Sequence, residues 1–252
     1  MQYRTLHLAV ATALMLAPTF DFALADVFSI DEPEVVKGEQ TIELNSAFQG
    51  GFPINADPVL NSWELEYTYG LTKWWNVAPR IDFDTPQGDD FHATVAGVEN
   101  IFSLGEVQDV LALAWFAEIE AGVHQDETNE VTIGPIIQFG GEKASVTLNP
   151  YFEKTFGRNH EEGVDFTYGW QAKASLGEHL AFGVEGYGEV PNIADSPGID
   201  FQEHRIGPVF YFEHELRGGE KERTLELEAG ILFGLTEATP DVTGKVNAAL
   251  VF

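Results

Sequence analysis

Pairs of carboxylates spaced two residues apart recur along this sequence, as at Glu64 and Glu66 and again at Glu226 and Glu228. Because side chains alternate between the two faces of a β-strand, this spacing places both members of a pair on one face. Neighbouring strands of this kind would form a surface whose carboxylates attract cations and repel anions. These residues therefore indicate an interaction with ions, with a preference for cations.

Histidine would be the clearest indicator of catalysis or metal binding, and six histidines follow the first 25 residues: His92, His124, His160, His179, His204 and His214. None of them is next to a serine, and the sequence contains neither Gly-x-Ser-x-Gly nor His-Glu-x-x-His. Acidic clusters at 89–90, 126–127 and 161–162 could bind divalent cations but are more typical of solvated loops. The sequence predicts no catalytic residue, no metal site and no cofactor.

The elements that must position these residues are strands, because apolar and polar residues alternate with a period of two. Between Val164 and Ala174, for example, apolar side chains occupy most even positions, and polar side chains or glycine the odd ones. The pattern predicts about twelve strands, at 39–48, 61–70, 73–84, 91–103, 108–122, 130–139, 143–156, 163–175, 179–190, 201–215, 222–235 and 244–252. Most approach or exceed the roughly 9–11 residues that a tilted strand needs to cross a bilayer.

The connections between these strands alternate in length. Short turns such as Ser103–Glu106 and Ser175–Glu178 alternate with longer and more varied segments such as 191–200. This arrangement predicts a single antiparallel up-and-down transmembrane β-barrel with short periplasmic turns and longer outer loops. An even number of strands places both ends of the barrel chain on the periplasmic side.

The apolar face of each strand is expected to contact lipid, with aromatic residues near the strand ends. The alternative is a soluble β-sandwich in which the apolar faces form a packed core. If the apolar faces point outward, the lumen is lined by the residues of the opposite faces: Glu43, Glu64, Glu66, Arg80, Asp82, Glu118, Glu120, Glu153, Asp165, Lys173, Glu185, Arg205, Tyr211, Glu213, Glu226 and Glu228.

The first residues have the features of a secretory signal peptide. A ten-residue apolar run from Leu8 to Ala17 follows Arg4, and Ala23-Leu24-Ala25 forms a small-x-small cleavage pattern before Asp26. We expect a signal peptide at 1–25, an N-terminal periplasmic segment at 26–38 and the barrel at 39–252. With no cysteine, disulfides and thiolate metal sites are excluded. A net charge of −28 with only 13 Lys and Arg residues argues against a nucleic-acid partner.

The C-terminal residues alternate in the same way, with Val246, Ala248, Leu250 and Phe252 on one face. This resembles the C-terminal signal that the barrel-assembly machinery of the outer membrane recognises. The expected partners are therefore this machinery, outer-membrane lipid and lipopolysaccharide, with an unidentified small solute. The expected location is the outer membrane of a Gram-negative cell.

The segment from Trp63 to Phe83, in which Glu-Tyr-Thr-Tyr-Gly-Leu-Thr forms the turn between two strands, resembles bacterial transporter-like or phenol-degradation-associated outer-membrane proteins. The resemblance covers about a tenth of the chain closely and implies a β-barrel and, loosely, uptake of hydrophobic or aromatic solutes. It implies no site residues.

Three functions follow from these observations. The first is a small channel or facilitator with an acidic lumen that favours cations. The second is a closed barrel that presents its outer loops to surface partners. The third, a membrane lipid-modifying enzyme, has the least support, because no nucleophile lies beside a histidine.

Overall fold

The structure is a computed structural model that describes residues 27–52, 58–108, 110–125, 127–141, 143–216 and 223–252. The predicted signal peptide at 1–25 lies outside the described residues. Within the described part of the chain, no helix is long and apolar enough to cross a membrane.

Twelve strands form one closed antiparallel barrel, as predicted. Each strand pairs with the next along the chain, and β1 closes the barrel by pairing with β12 from Thr41–Val251 to Gly50–Val242. The strands are β1 (Gln40–Gly50), β2 (Val59–Gly70), β3 (Trp75–Pro86), β4 (His92–Val107), β5 (Leu111–Gly122), β6 (Asn129–Gly141), β7 (Ala144–Phe156), β8 (Asp165–Ser175), β9 (Leu180–Val190), β10 (Glu203–Glu215), β11 (Thr224–Gly234) and β12 (Val242–Val251). We call the end with the short connections the turn end, and the opposite end the loop end.

The strand bounds differ most from the prediction between β4 and β5. The predicted turn at Ser103–Glu106 belongs to β4, which continues to Val107. The register of β4 against β5 shifts between Ser103 and Gly105, and Gly105 has a φ of +103° that glycine adopts without strain. The glycine that suggested a turn therefore forms a β-bulge, and the connection lies three to four residues later.

Burial follows the alternation, with the polar faces inside and the apolar faces outside. Asn45, Glu64 and Lys245 are buried, whereas the outward side chains of Ile119 and Phe210 are 53% and 57% exposed. A soluble sandwich would bury its large apolar side chains and expose its charges. The arrangement is that of a barrel whose outer face contacts lipid.

Aromatic side chains cluster at both ends of the barrel. Trp74, Trp75 and Phe102 stack at the turn end, with ring centroids 5.9–6.2 Å apart. Phe83 and Phe91 stack at 5.3 Å at the loop end. Such girdles are typical of the two membrane–water interfaces of outer-membrane barrels.

Residues 27–36, which we call the lumenal segment, run through the barrel instead of lying outside it in the periplasm. At the turn end, the Gly38 amide donates a hydrogen bond to the Gly70 carbonyl at 2.8 Å. Towards the loop end, Phe28 packs against Ala47, Tyr187 and Leu232. The period-two pattern could not predict this placement, because the segment contributes no strand.

Glycine makes room for the lumenal segment on the barrel wall. A Cβ at Gly169 would lie 2.8 Å from Ile30 Cδ1, closer than real Cβ contacts permit. Gly169 therefore leaves space for the end of the Ile30 side chain, which would have to shift if a Cβ were present.

Candidate ion pathway in the barrel lumen

A single arginine organises the carboxylates on one wall of the lumen. Arg80, on β3, lies 2.7 Å from Glu64, 2.6 Å from Asp82, 3.1 Å from Glu99 and 2.5 Å from Glu118. Its Nη2 also pairs with a fifth carboxylate on β5, that of Glu120. Five negative charges surround one positive charge, so this wall keeps a negative excess when all groups are ionised.

Further carboxylates lie beside this cluster. Glu43 on β1 is the cross-strand partner of Glu66 on β2, and Glu66 is in turn the partner of Arg80. The Thr68 hydroxyl donates to Glu66 at 2.6 Å. Like charges directly opposite each other on a sheet repel, which a cation between them would relieve.

A second cluster, on β9 to β12, is centred on a lysine. Lys245 Nζ lies 2.8 Å from Glu185 and 3.1 Å from Glu228, and the side chains of Lys245 and Glu185 are fully buried. The hydroxyls of Tyr187 and Tyr211 each donate to Glu185 at 2.6 Å. These hydrogen bonds satisfy a carboxylate that would otherwise be costly to bury.

The lumenal segment is anchored to the barrel by polar contacts along its length. Asp31 and Asn149 exchange backbone–side-chain hydrogen bonds of 2.9 and 3.0 Å, and the Tyr151 hydroxyl donates to the Asp31 carboxylate at 2.6 Å. Glu32 pairs with Lys173 at 3.0 Å, and the Asn247 amide donates to the Phe28 carbonyl at 3.1 Å.

Two cavities lie in the lumen, and the lumenal segment lines both. One, of about 140 Å³, is bounded by Phe28, Asp31, Arg80, Tyr151 and Arg205 among others. The other, of about 600 Å³, is nearer the turn end and is bounded by Glu32, Lys173 and Glu213 among others. The segment thus narrows the space inside the barrel, and charged side chains line both cavities.

The sixteen side chains predicted to line the lumen share the face that the strand register assigns to the interior. Five of them, Glu64, Arg80, Asp82, Glu118 and Glu120, meet in the arginine cluster, and Glu185, Tyr211 and Glu228 belong to the lysine cluster.

The other predicted residues are distributed along the interior. Glu43 and Glu66 lie beside the arginine cluster, and Lys173 contacts the lumenal segment. Glu153 and Asp165 are cross-strand partners near the loop end, as Glu213 and Glu226 are at the turn end. Arg205 pairs with Glu203, and its guanidinium lies 4.4 Å from the centre of the Phe28 ring.

Lumenal residues that the sequence reasoning missed include Lys245, Glu99 and Asp31. Lys245 alternates with the outward-facing Val246, so the pattern used for the other strands would have found it. Glu99 lies on β4, whose apolar alternation is indistinct, and β4 shifts register against β3 between Ile81 and Phe83. Asp31 precedes the first strand, and no sequence signal placed it in the barrel.

Several histidines lie close to other rings or polar groups in the structure. His204 lies between the Tyr168 hydroxyl at 2.8 Å and the Gln202 amide oxygen at 3.0 Å. The rings of His179 and His214 are 5.3 Å apart at the turn end, and those of His92 and His124 are 5.5 Å apart at the loop end.

Comparison with known proteins shows the fold. No protein-family model matches the sequence, and no curated protein matches it significantly. The structure is similar to the NanC porin, with a TM-score of 0.53 and 6% identity, over 84% of this chain and 98% of the porin. It is similar to the COG4313 outer membrane channel from Pseudomonas putida F1, with a TM-score of 0.53 and 14% identity, over 89% of this chain and 98% of that one. The predicted outer-membrane type of β-barrel is confirmed.

Proposed function

We propose that this barrel is a passive channel of the outer membrane that favours small cations. The observation that carries the proposal is the surplus of carboxylates in the lumen: one arginine is shared by five of them, and one lysine by two. Fixed negative charge in a narrow low-dielectric passage concentrates cations and excludes anions. Cavities of about 140 and 600 Å³ suit small solutes.

The outer surface of the barrel supports a location in the outer membrane. The outward face of β12 includes Val246, which is 49% exposed, and Phe252 closes the barrel through backbone hydrogen bonds of 2.9 and 3.0 Å with Gln40. We propose outer-membrane lipid and lipopolysaccharide as the surroundings, and the barrel-assembly machinery as the partner that recognises this last strand.

His204 is held by Tyr168 and Gln202 rather than by a serine, so we propose transport without catalysis.

Ion selectivity in planar bilayers tests the channel. With purified full-length protein across a KCl gradient, we expect a reversal potential of cation-selective sign. Replacing Glu43 and Glu66 with Gln should reduce it, because these cross-strand partners add charge to the pathway without contributing to the arginine cluster's ion pairs. The matched control replaces two exposed loop acids, Glu162→Gln with Asp195→Asn, and should change little. An anion-selective sign, or equal effects of both variants, would contradict the proposal.

The lumenal segment favours a second candidate, the closed barrel that presents its loops. Under this alternative the full chain gives no conductance, because residues 27–36 fill the passage. A variant lacking residues 27–34 separates the two functions. If the full chain conducts and the deletion conducts more, the barrel is a channel narrowed by its own segment. If the full chain is silent and the deletion variant conducts, the segment closes the passage and the closed barrel is the better description.

A further inference from the structure

Two imidazoles and a carboxylate converge at the loop end, outside the pathway described above. His92 begins β4, whereas His124 and Glu127 follow β5. Their ligand atoms, one from each side chain, all lie within 4.8 Å of one another. Small rotations of these side chains would bring all three into contact with a single ion.

Local hydrogen bonds orient these groups. His92 Nδ1 lies 2.7 Å from the Asp90 carbonyl oxygen, so this nitrogen carries the proton and Nε2 keeps a free lone pair. The His124 backbone amide donates to Glu127 Oε2 at 3.1 Å, which positions the carboxylate beside the His124 ring. A carbonyl behind a ligating imidazole is a common second partner at metal sites.

The strand register holds the two connections together. The Val123 amide donates to the Thr94 carbonyl at 2.7 Å, extending the ladder between β4 and β5 as far as the loop that carries His124. His92 is the cross-strand partner of Asp84, a buried inward-facing carboxylate. Because cross-strand partners share a face, His92 points towards the mouth of the barrel.

We propose that His92, His124 and Glu127 bind a divalent transition-metal ion of the Zn²⁺ class at the mouth of the barrel. Neutral imidazole is a good ligand for Zn²⁺, Cu²⁺ and Ni²⁺, whereas Ca²⁺ and Mg²⁺ prefer an all-oxygen shell. Three protein ligands leave a fourth tetrahedral position for water. The ion would tie the β3–β4 connection to the β5–β6 connection. This site does not depend on whether the barrel conducts ions.

Calorimetric titration of the folded full chain in detergent with ZnCl₂ and, separately, with CaCl₂ tests the site. We expect one Zn²⁺ per chain at neutral pH and much weaker binding of Ca²⁺. His92→Ala, His124→Ala and Glu127→Gln should each weaken Zn²⁺ binding by about tenfold or more, since even second-shell changes at metal sites cost 10–100-fold. His160→Ala, at another exposed loop histidine, is the matched control and should bind as the wild type does.

The barrel's folding state is checked for each variant by comparing boiled and unboiled samples on gels. Glu127→Gln keeps the shape of the side chain, so it tests the site even where an alanine variant fails to fold. The proposal is overturned if Zn²⁺ does not bind, if Ca²⁺ binds equally well, or if the three variants and the His160→Ala control all bind alike. The last outcome would include binding by the His179–His214 pair at the opposite end.

Discussion

At the scale of single residues, the lumen contains few basic side chains and many carboxylates. Lys245 and Glu185 are both fully buried, and two tyrosine hydroxyls complete the hydrogen bonds of the carboxylate. A buried ion pair adds little net stability over an apolar pair, but removing one partner leaves an uncompensated charge. Replacing both residues of the pair should therefore cost less stability than replacing one of them.

This asymmetry predicts the outcome of a double-mutant cycle. Lys245→Met should lower the free energy of unfolding by about 3–5 kcal/mol, because Glu185 then remains buried without its counter-charge. Adding Glu185→Gln should restore much of that loss. Urea unfolding followed by tryptophan fluorescence measures both values. Lys143→Met, at an exposed turn position, is the control and should change stability by less than about 0.5 kcal/mol. A double variant no more stable than Lys245→Met would contradict this account.

The sequence could predict which side chains of a regular strand share a face, because a period of two leaves no choice of face once one face is assigned to lipid. It could not predict the His92, His124 and Glu127 group. These residues belong to two different connections, and only the antiparallel pairing of β4 with β5 brings them together. Sequence spacing carries no information on contacts of that kind.

At the scale of elements, the lumenal segment was the least predictable part of the fold. Its residues form no strand, so alternation is uninformative, and its contacts come from five or more separate strands. Asp31 is the residue of this segment most firmly bound to the wall, through Asn149 and Tyr151. The existence of the strands could be predicted from the sequence. The position of one turn could not, because Gly105 forms a β-bulge and glycine is suited to both turns and bulges.

At the scale of the whole molecule, the fold separates two solvents. The exposed apolar face, the aromatic girdles and the buried charges together make the barrel the inverse of a soluble protein. The chain's net charge of −28 is far larger than the lumenal clusters alone supply, because the outer loops are acidic as well. The dependence of selectivity on salt concentration distinguishes charges in the lumen from charges on the loops as its cause.

Screening predicts how selectivity should depend on salt. The Debye length is roughly 30 Å at 0.01 M and 3 Å at 1 M, so charges on exposed loops lose their influence at high salt, whereas enclosed charges are screened much less. If the arginine cluster and the Glu43–Glu66 pair set selectivity, the cation preference measured by reversal potential should persist in part at 1 M KCl. The Glu43→Gln, Glu66→Gln double variant should show a smaller cation preference there, because only the carboxylates of the arginine cluster remain. A preference that vanishes at 1 M in the wild type would instead assign selectivity to the loops, and the lumenal carboxylates would then serve mainly to hold the barrel together around its segment.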